Sequence, residues 1–290
     1  MTNACRLGLP ALLVATLVAT LVTPACDSAA VQSSVPSPQP PPTAPADGAG
    51  FTHGTGCSGA APAATSAAWE QQVIELVNEQ RRVNGLPPLK HVTSLTDAAR
   101  WYAKDMVDDD YFGPGHDTYD RSGGSLVRVC AWSARIGAFY TGGNALGENI
   151  ADDYSSPQEA VTGWMGSAGH RANILNGRFW ETGVGYQAGA TSGHCWVQDF
   201  GRRRGFYPLV IDDEAASTDS RFVSLYVYGS WSEMRIRNDG EAFGPWQPFT
   251  NTLEWTLANL EGLRTVSVEM RSGSTTVTAS DTIALSLSCR

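Results

Sequence analysis

Trp164-Met165-Gly166-Ser167-Ala168-Gly169-His170-Arg171-Ala172-Asn173-Ile174-Leu175 is the stretch on which the reading of this chain turns. It follows Ser156-Pro157-Gln158-Glu159, a capping box with proline at the first helical position. The helix so started carries Val161, Trp164 and Met165 on its apolar side. Gly169 reads as an interruption, and Ile174-Leu175 resume an apolar face. A histidine just after a break suits a cleft better than a core, because a buried imidazole must find a partner or stay neutral. Ser167 lies three residues before His170 and could meet its ring. The same position suits a cap for the next turn, and that is the reading adopted. Glu159 is read as structural, its carboxylate returning to the backbone N–H of Ser156.

Working outward, two strands are expected near Thr182–Gln187 and His194–Phe200. Upstream, Trp69, Val73, Leu76 and Val77 mark one helical face, stopped by Gly85 and Pro87-Pro88. Leu95, Ala98, Ala99, Tyr102, Ala103 and Met106 mark a second helix. Asp110 to Gly147 has no sustained period and many glycines, and reads as one long functional loop holding His116. After Gly201 the pattern changes to short β-prone runs, among them Phe222–Tyr228, Met234–Arg237 before Asn238-Asp239-Gly240, and alternation at Val266, Val268, Met270 and at Ile283, Leu285, Leu287. These predict a small all-β sandwich.

The chain ends carry different information. Leu7 to Val22 is an apolar run after Arg6, too short to span a membrane comfortably and suited to a signal-peptide core. It leads to Thr23-Pro24-Ala25-Cys26, where small residues before a cysteine resemble a lipobox. Lipidation at Cys26 and ordinary cleavage near Ala25 are the two outcomes open. Residues 26–68 are rich in Pro, Ser and Ala, and Pro36 to Pro45 is more than half proline. Such a segment reads as a disordered tether. The organisation expected is 1–25 signal peptide, 26–68 linker, 69–204 first folded domain and 205–290 second. At 42% hydrophobic and 17% charged the chain is globular in composition, and its net charge of −9 argues against nucleic acid as a partner. Export implies an oxidising compartment, so Cys57, Cys130, Cys195 and Cys289 should form two disulfides with three possible connectivities. We take Cys130–Cys195 with Cys57–Cys289 as the expected set. The cysteines are too far apart in sequence for a zinc-ligand spacing.

Six patterns resemble bacterial CAP domains, the cysteine-rich secretory protein, antigen 5 and pathogenesis-related superfamily. They are Leu76–Arg82 with Gly85-Leu86, Ala98–Met106, Gly147-Glu148-Asn149-Ile150, the Trp164–Leu175 stretch, Gly183-Val184-Gly185-Tyr186 and Cys195–Gly201. The resemblance implies an α+β chain: a three-layer α-β-α sandwich, followed here by the all-β sandwich. Met234–Gly240, Trp246, Pro248-Phe249, Trp255–Leu257, Thr265–Val268 and Ser280–Ile283 resemble an immunoglobulin-like or fibronectin-like module of bacterial surface proteins, usually adhesive or a spacer.

CAP domains typically gather two histidines and two acids in a cleft. By that resemblance His116, His170 and Glu148 are the candidate catalytic residues and the candidate ligands of a divalent metal such as zinc. The family's second glutamate falls at about Ser167, so the set is incomplete. Glu148 could equally be a buried acceptor that fixes the long loop. His194 is expected to be structural, His91 a helix-start residue and His53 part of the linker. Nucleophilic catalysis has little support, since the cysteines are assigned to disulfides. The expected function is an extracytoplasmic binding or interaction module, a cell-envelope lipoprotein or secreted, attached to a membrane only through its N-terminal lipid. Its ligand would be a lipid, a peptide or a cell-surface component. The alternatives are a secreted metal-dependent hydrolase and an extracellular lipid- or sterol-binding protein.

Overall fold

The computed structural model describes residues 57–112, 115–189 and 193–287. The signal segment, Cys26, most of the linker, His53 and Cys289 lie outside them.

Ala67–Val83 forms α1, capped by Ser66, whose hydroxyl accepts from Trp69 N. Lys90–His91 (β1) leads into α2, Thr93–Asp108. Then come β2 (Thr118–Ser122), β3 (Ser125–Cys130), α3 (Trp132–Phe139) and β4 (Gly143–Asp152). Helices α4 (Pro157–Gly166) and α5 (Ala168–Ile174) precede β5 (Glu181–Ala188) and β6 (His194–Arg203). One sheet has the order β1-β5-β6-β4, which leaves β4 at an edge.

The period of β6 divides the core. Trp196 and Phe200 join Val73, Val77, Val161, Trp164 and Ile174, from α1, α4 and α5. Cys195 and Val197 join Ala99, Tyr102, Ala103 and Met106 of α2. Alternate residues of one strand therefore meet different helices. Gly183 and Gly185 explain how closely α2 lies on β5: a Cβ there would fall 2.1 Å from Thr96 N and 2.2 Å from Arg100 N.

Four expectations need correction. The stretch from Asp110 to Gly147 is not one loop: it holds β2, β3 and α3. The β2–β3 hairpin turns on Gly123 and Gly124, both at positive φ, and most of its residues are exposed. A hairpin with no buried face leaves no alternation to read, and α3 spans barely two turns. Second, the helix breaks at Ser167, not Gly169. Ser167 is extended (ψ 127°), ends α4 and begins α5, but its hydroxyl makes no capping bond. Third, Glu159 reaches Ser155 rather than Ser156, accepting from its N–H at 2.9 Å and its hydroxyl at 2.8 Å. Fourth, the bridge joins Cys57 to Cys130, not Cys130 to Cys195. Cys195 points inward from β6 against α2 and is fully buried. With Cys57 so used, the Cys57–Cys289 pairing falls too.

The C-terminal part contains β7 (Leu209–Ile211), a 3₁₀ turn at Asp212–Glu214, β8 (Ser217–Thr218), β9 (Phe222–Val227), β10 (Glu233–Asn238), β11 (Gln247–Pro248), β12 (Thr252–Thr256), β13 (Gly262–Ser272) and β14 (Thr275–Leu285). Two sheets result, ordered β11-β10-β13-β14-β8 and β12-β9-β7. Leu209, Val223, Leu225 and Val227 of the smaller meet Met234, Ile236, Val268, Met270 and Ile283 of the larger in one apolar cluster.

A polar junction ties this part to the first. Asp212, Asp213 and Glu214 all have positive φ, a costly run for residues with a Cβ. They are held from outside: Asn78 Nδ2 donates to Asp213 O (2.8 Å), Gln71 Nε2 to Glu214 O (2.6 Å), and Lys90 Nζ meets Glu214 Oε1 (2.7 Å). Lys90 also bonds Asp281, whose other oxygen accepts from Ile211 N at 2.9 Å. Burial, then the Asp281 charge, pushes Glu214 up to about 8. The Lys90 cation thus lies between two carboxyl groups. Lys90→Met should cost about 3–5 kcal/mol, because it leaves a buried carboxylate without a cation. Chemical denaturation of the full chain at pH 7 checks this; a loss below about 1 kcal/mol would mean that the junction is solvated.

Candidate functional site

The site is built around Arg135, on α3 and wholly buried. Its guanidinium lies 3.4 Å from the centre of the Tyr102 ring. One nitrogen donates to Glu148 Oε2, and the other to Thr118 Oγ1 (2.8 Å) and His116 O (3.1 Å). A charged side chain this deep requires an ionised partner. Arg135 accordingly holds Glu148 below the usual carboxylate range, although burial pulls the other way.

The other Glu148 oxygen, Oε1, lies 2.9 Å from His116 Nδ1. An ionised carboxylate only accepts, so Nδ1 must carry the proton. Nε2 is then the nitrogen with a lone pair, and the imidazole is a third exposed. The loop holding His116 is fixed from several sides. Tyr102 Oη donates to Asp117 O (3.1 Å), Trp132 N to Asp117 Oδ1 (3.1 Å), and the Cys57–Cys130 bridge closes the β3 end.

His170 approaches from the opposite side of edge strand β4. Asn149 Nδ2 donates to His170 O (3.2 Å), and Asn173 Nδ2 to Glu148 O (3.0 Å), so α5 is stitched to the strand that carries Glu148. Burial, then the neighbouring charge of His116, lowers the His170 pKa. His170 also borders a pocket of about 250 Å³ with Phe112, Ile150, Tyr154, Trp164 and Ser167.

His116 and Glu148 are thus in direct contact, and His170 is close by. Among the described residues, the trio of acidic, histidine or cysteine side chains whose ligand atoms all fall within 4.8 Å of one another is Asp105, Asp109 and Asp120; His116, Glu148 and His170 are not such a trio. The donor chemistry nevertheless fits a divalent ion on two imidazoles, since His116 Nε2 is free to bind and His170 is biased towards its neutral form. The other two described histidines are engaged elsewhere: His91 bonds Thr96 Oγ1 (2.8 Å) and is pushed down to about 4 by burial, and His194 Nδ1 meets Tyr186 Oη (2.8 Å).

Two residues of the site escaped the sequence reading, Arg135 and Asp199. Asp199 stands directly opposite Glu148 on β6 and is fully buried. No donor among the described residues reaches either of its oxygens. Burial and the Glu148 charge push its pKa well above the carboxylate range, so it holds a proton that it can donate to Glu148.

Residues 74–200 match the model of the cysteine-rich secretory protein (CAP) family. The chain carries a CAP domain. Two Bacillus subtilis proteins are similar to this chain: the uncharacterized protein YkwD, 38% identical over 146 residues (50% of this chain, 51% of YkwD), and the uncharacterized membrane protein YlbC, 32% identical over 116 residues (40% and 31%). The match spans about half of YkwD and less of YlbC. Solved structures that align with the CAP domain include an extracellular SCP-domain protein of Bacillus anthracis (32% identity, TM-score 0.39, covering 46% of this chain and 40% of that one). An outer surface protein of Borrelia burgdorferi aligns at 19% identity and TM-score 0.38, covering 46% and 90%.

The buried acid of the CAP domain makes a signed prediction. A group whose pKa is raised on folding stabilises the fold at low pH and loses that contribution as pH rises through its folded value. Asp199→Asn removes the titration. The melting temperature of the variant minus that of the wild type should increase steadily from pH 5 to pH 8. A difference that stays flat over this range would show that Asp199 folds ionised.

Proposed function

We propose that this protein is an exported CAP-domain binding module, displayed at the cell envelope or secreted. Its cleft, on edge strand β4 between His116 and His170, would engage an extracellular partner. The C-terminal sheets would act as an adhesive or spacer unit of immunoglobulin-like or fibronectin-like kind. The observation that carries this reading is the state of Glu148. Both its oxygens are engaged, one by Arg135 and one by His116, and Arg135 holds it below the usual carboxylate range against the pull of burial, which makes it a weak base for water. By the resemblance the family's second acid would fall at about Ser167, which supplies no carboxylate. No described helix is long and apolar enough to cross a membrane, so attachment would rest on the N-terminal segment and Cys26.

A divalent ion such as zinc would be held by His116 Nε2 and a nitrogen of His170, with Glu148 orienting His116 from behind. When bound it would supply a Lewis acid with open positions, which is the basis of the alternative reading as a metal-dependent hydrolase. The lipid or sterol alternative has the pocket beside His170 in its favour. At about 250 Å³ that pocket is below the ~300–1,000 Å³ usual for small-molecule sites. It would take a side chain or the tip of an acyl group rather than a whole lipid.

Calorimetric titration of the full chain with zinc separates these readings. Saturable binding is expected in the wild type and should be lost in His116→Ala/His170→Ala. Glu148→Gln should weaken it by about 10–100-fold without abolishing it. Equal binding by the wild type and the double variant, both folded by thermal melt, would remove the metal cleft. Hydrolysis of a peptide or ester that disappears with the metal would favour the hydrolase over the binding module.

A further inference from the structure

A second concavity, of about 750 Å³, opens where the CAP domain meets the C-terminal sheets. It is lined by Trp180, Arg202, Tyr207, Tyr226, Tyr228 and Trp231, together with Ser230, Ser272 and Thr275. Trp180 and Arg202 belong to the CAP side and the rest to the C-terminal side, so neither part has this site alone.

The rings form a fixed floor. Trp180 stacks on Tyr228 at 4.7 Å between centroids, and Tyr207 meets Trp231 edge-on at 4.9 Å. Tyr228 is locked by its hydroxyl, which donates to Pro88 O at 2.7 Å. Gly229 has φ +105°, and a Cβ there would fall 2.5 Å from Trp231 Nε1, so the glycine is what admits the indole. Trp180, Tyr207, Tyr226 and Trp231 are only half-buried, although each is large enough to fill a core. Aromatic rings beside serine and threonine side chains in an open cleft suit a ligand that is apolar on its faces and polar at its edges.

Charge narrows the class. The Arg202 guanidinium lies 3.6 Å over the Trp180 ring. Among the described residues it makes no salt bridge, whereas its neighbour Arg203 is paired with Glu181. Arg81, buried behind Tyr228, is held by the backbone oxygens of Pro87 (2.8 Å), Ile174 (2.7 Å) and Asn176 (3.1 Å) rather than by a carboxylate. One cation at the cleft and a second behind its floor thus stand together in a protein of net charge −9. A stacked guanidinium without a partner is a carboxylate receptor.

We infer that this cleft binds a saccharide bearing a carboxylate, with a sugar face on Trp231 and its acid on Arg202. The site is separate from the histidine cleft and does not depend on the reading given for it. Proline-rich peptide would also use the rings but would leave Arg202 without a role.

The test is titration of the full chain, by calorimetry and tryptophan fluorescence, with trigalacturonate and a GlcNAc–MurNAc disaccharide as acidic probes. Maltotriose, chitobiose and a polyproline peptide are the comparisons. At least one acidic probe should bind saturably and about tenfold or more tighter than the neutral sugars. Arg202→Gln should lower that affinity by about tenfold or more, as expected for loss of a charge-assisted bond. His116→Ala/His170→Ala should not change it. The inference is overturned if neither acidic probe saturates the folded protein, if folded Arg202→Gln binds as tightly as wild type, or if the neutral sugars or the peptide bind as well.

Discussion

Arg135 carries a full charge with no access to water, and the CAP cleft is arranged around that fact. A buried guanidinium is tolerated only beside an ionised partner. Glu148 supplies the charge, Thr118 and the His116 carbonyl accept further bonds, and the Tyr102 ring covers the cation's face. The consequences extend outward. Asp199, across the strand pair, cannot also ionise beside Glu148 and keeps its proton. His116 is turned so that Nδ1 faces the carboxylate and Nε2 faces away. A structural ion pair thereby sets the chemistry that the exposed edge of the imidazole can offer.

Much of this was legible from residue patterns, and the gaps have physical causes. The two long helices were visible because Val73, Val77, Ala98, Ala99 and Tyr102 fall on buried faces at helical spacing. His116 and Glu148 were named for the same cleft and touch. Arg135 was missed because it lies in the stretch from Asp110 to Gly147, where an exposed hairpin and a short helix leave no period to read. One signal was present, a single arginine in the otherwise apolar run Trp132-Ser133-Ala134-Arg135-Ile136-Gly137-Ala138-Phe139. Asp199 had a similar signal, an acid within the buried run Cys195–Phe200 of β6. Periodicity finds elements, but it does not report which buried charges face each other across them. The disulfide was misassigned for the same reason: spacing cannot say that Cys195 faces inward while Cys57 lies beside Cys130.

The junction follows the logic of the cleft on a larger scale. Lys90 is buried between Asp281 and Glu214, and the left-handed turn at Asp212–Glu214 is secured by side chains of α1. These bonds tie the C-terminal sheets to the CAP domain. The two concavities differ in kind. One is a histidine edge backed by a buried ion pair; the other is a ring-lined cleft with a stacked arginine.

The central claim is that the Arg135–Glu148 pair dictates the His116 tautomer, and nitrogen NMR of the ¹⁵N-histidine-labelled chain measures it most directly. Above the histidine titration range, His116 should show a protonated Nδ1 and an unprotonated Nε2, and Glu148→Gln should abolish that preference. A neutral His116 protonated at Nε2 in the wild type, or one unchanged by Glu148→Gln in a folded protein, would contradict the account.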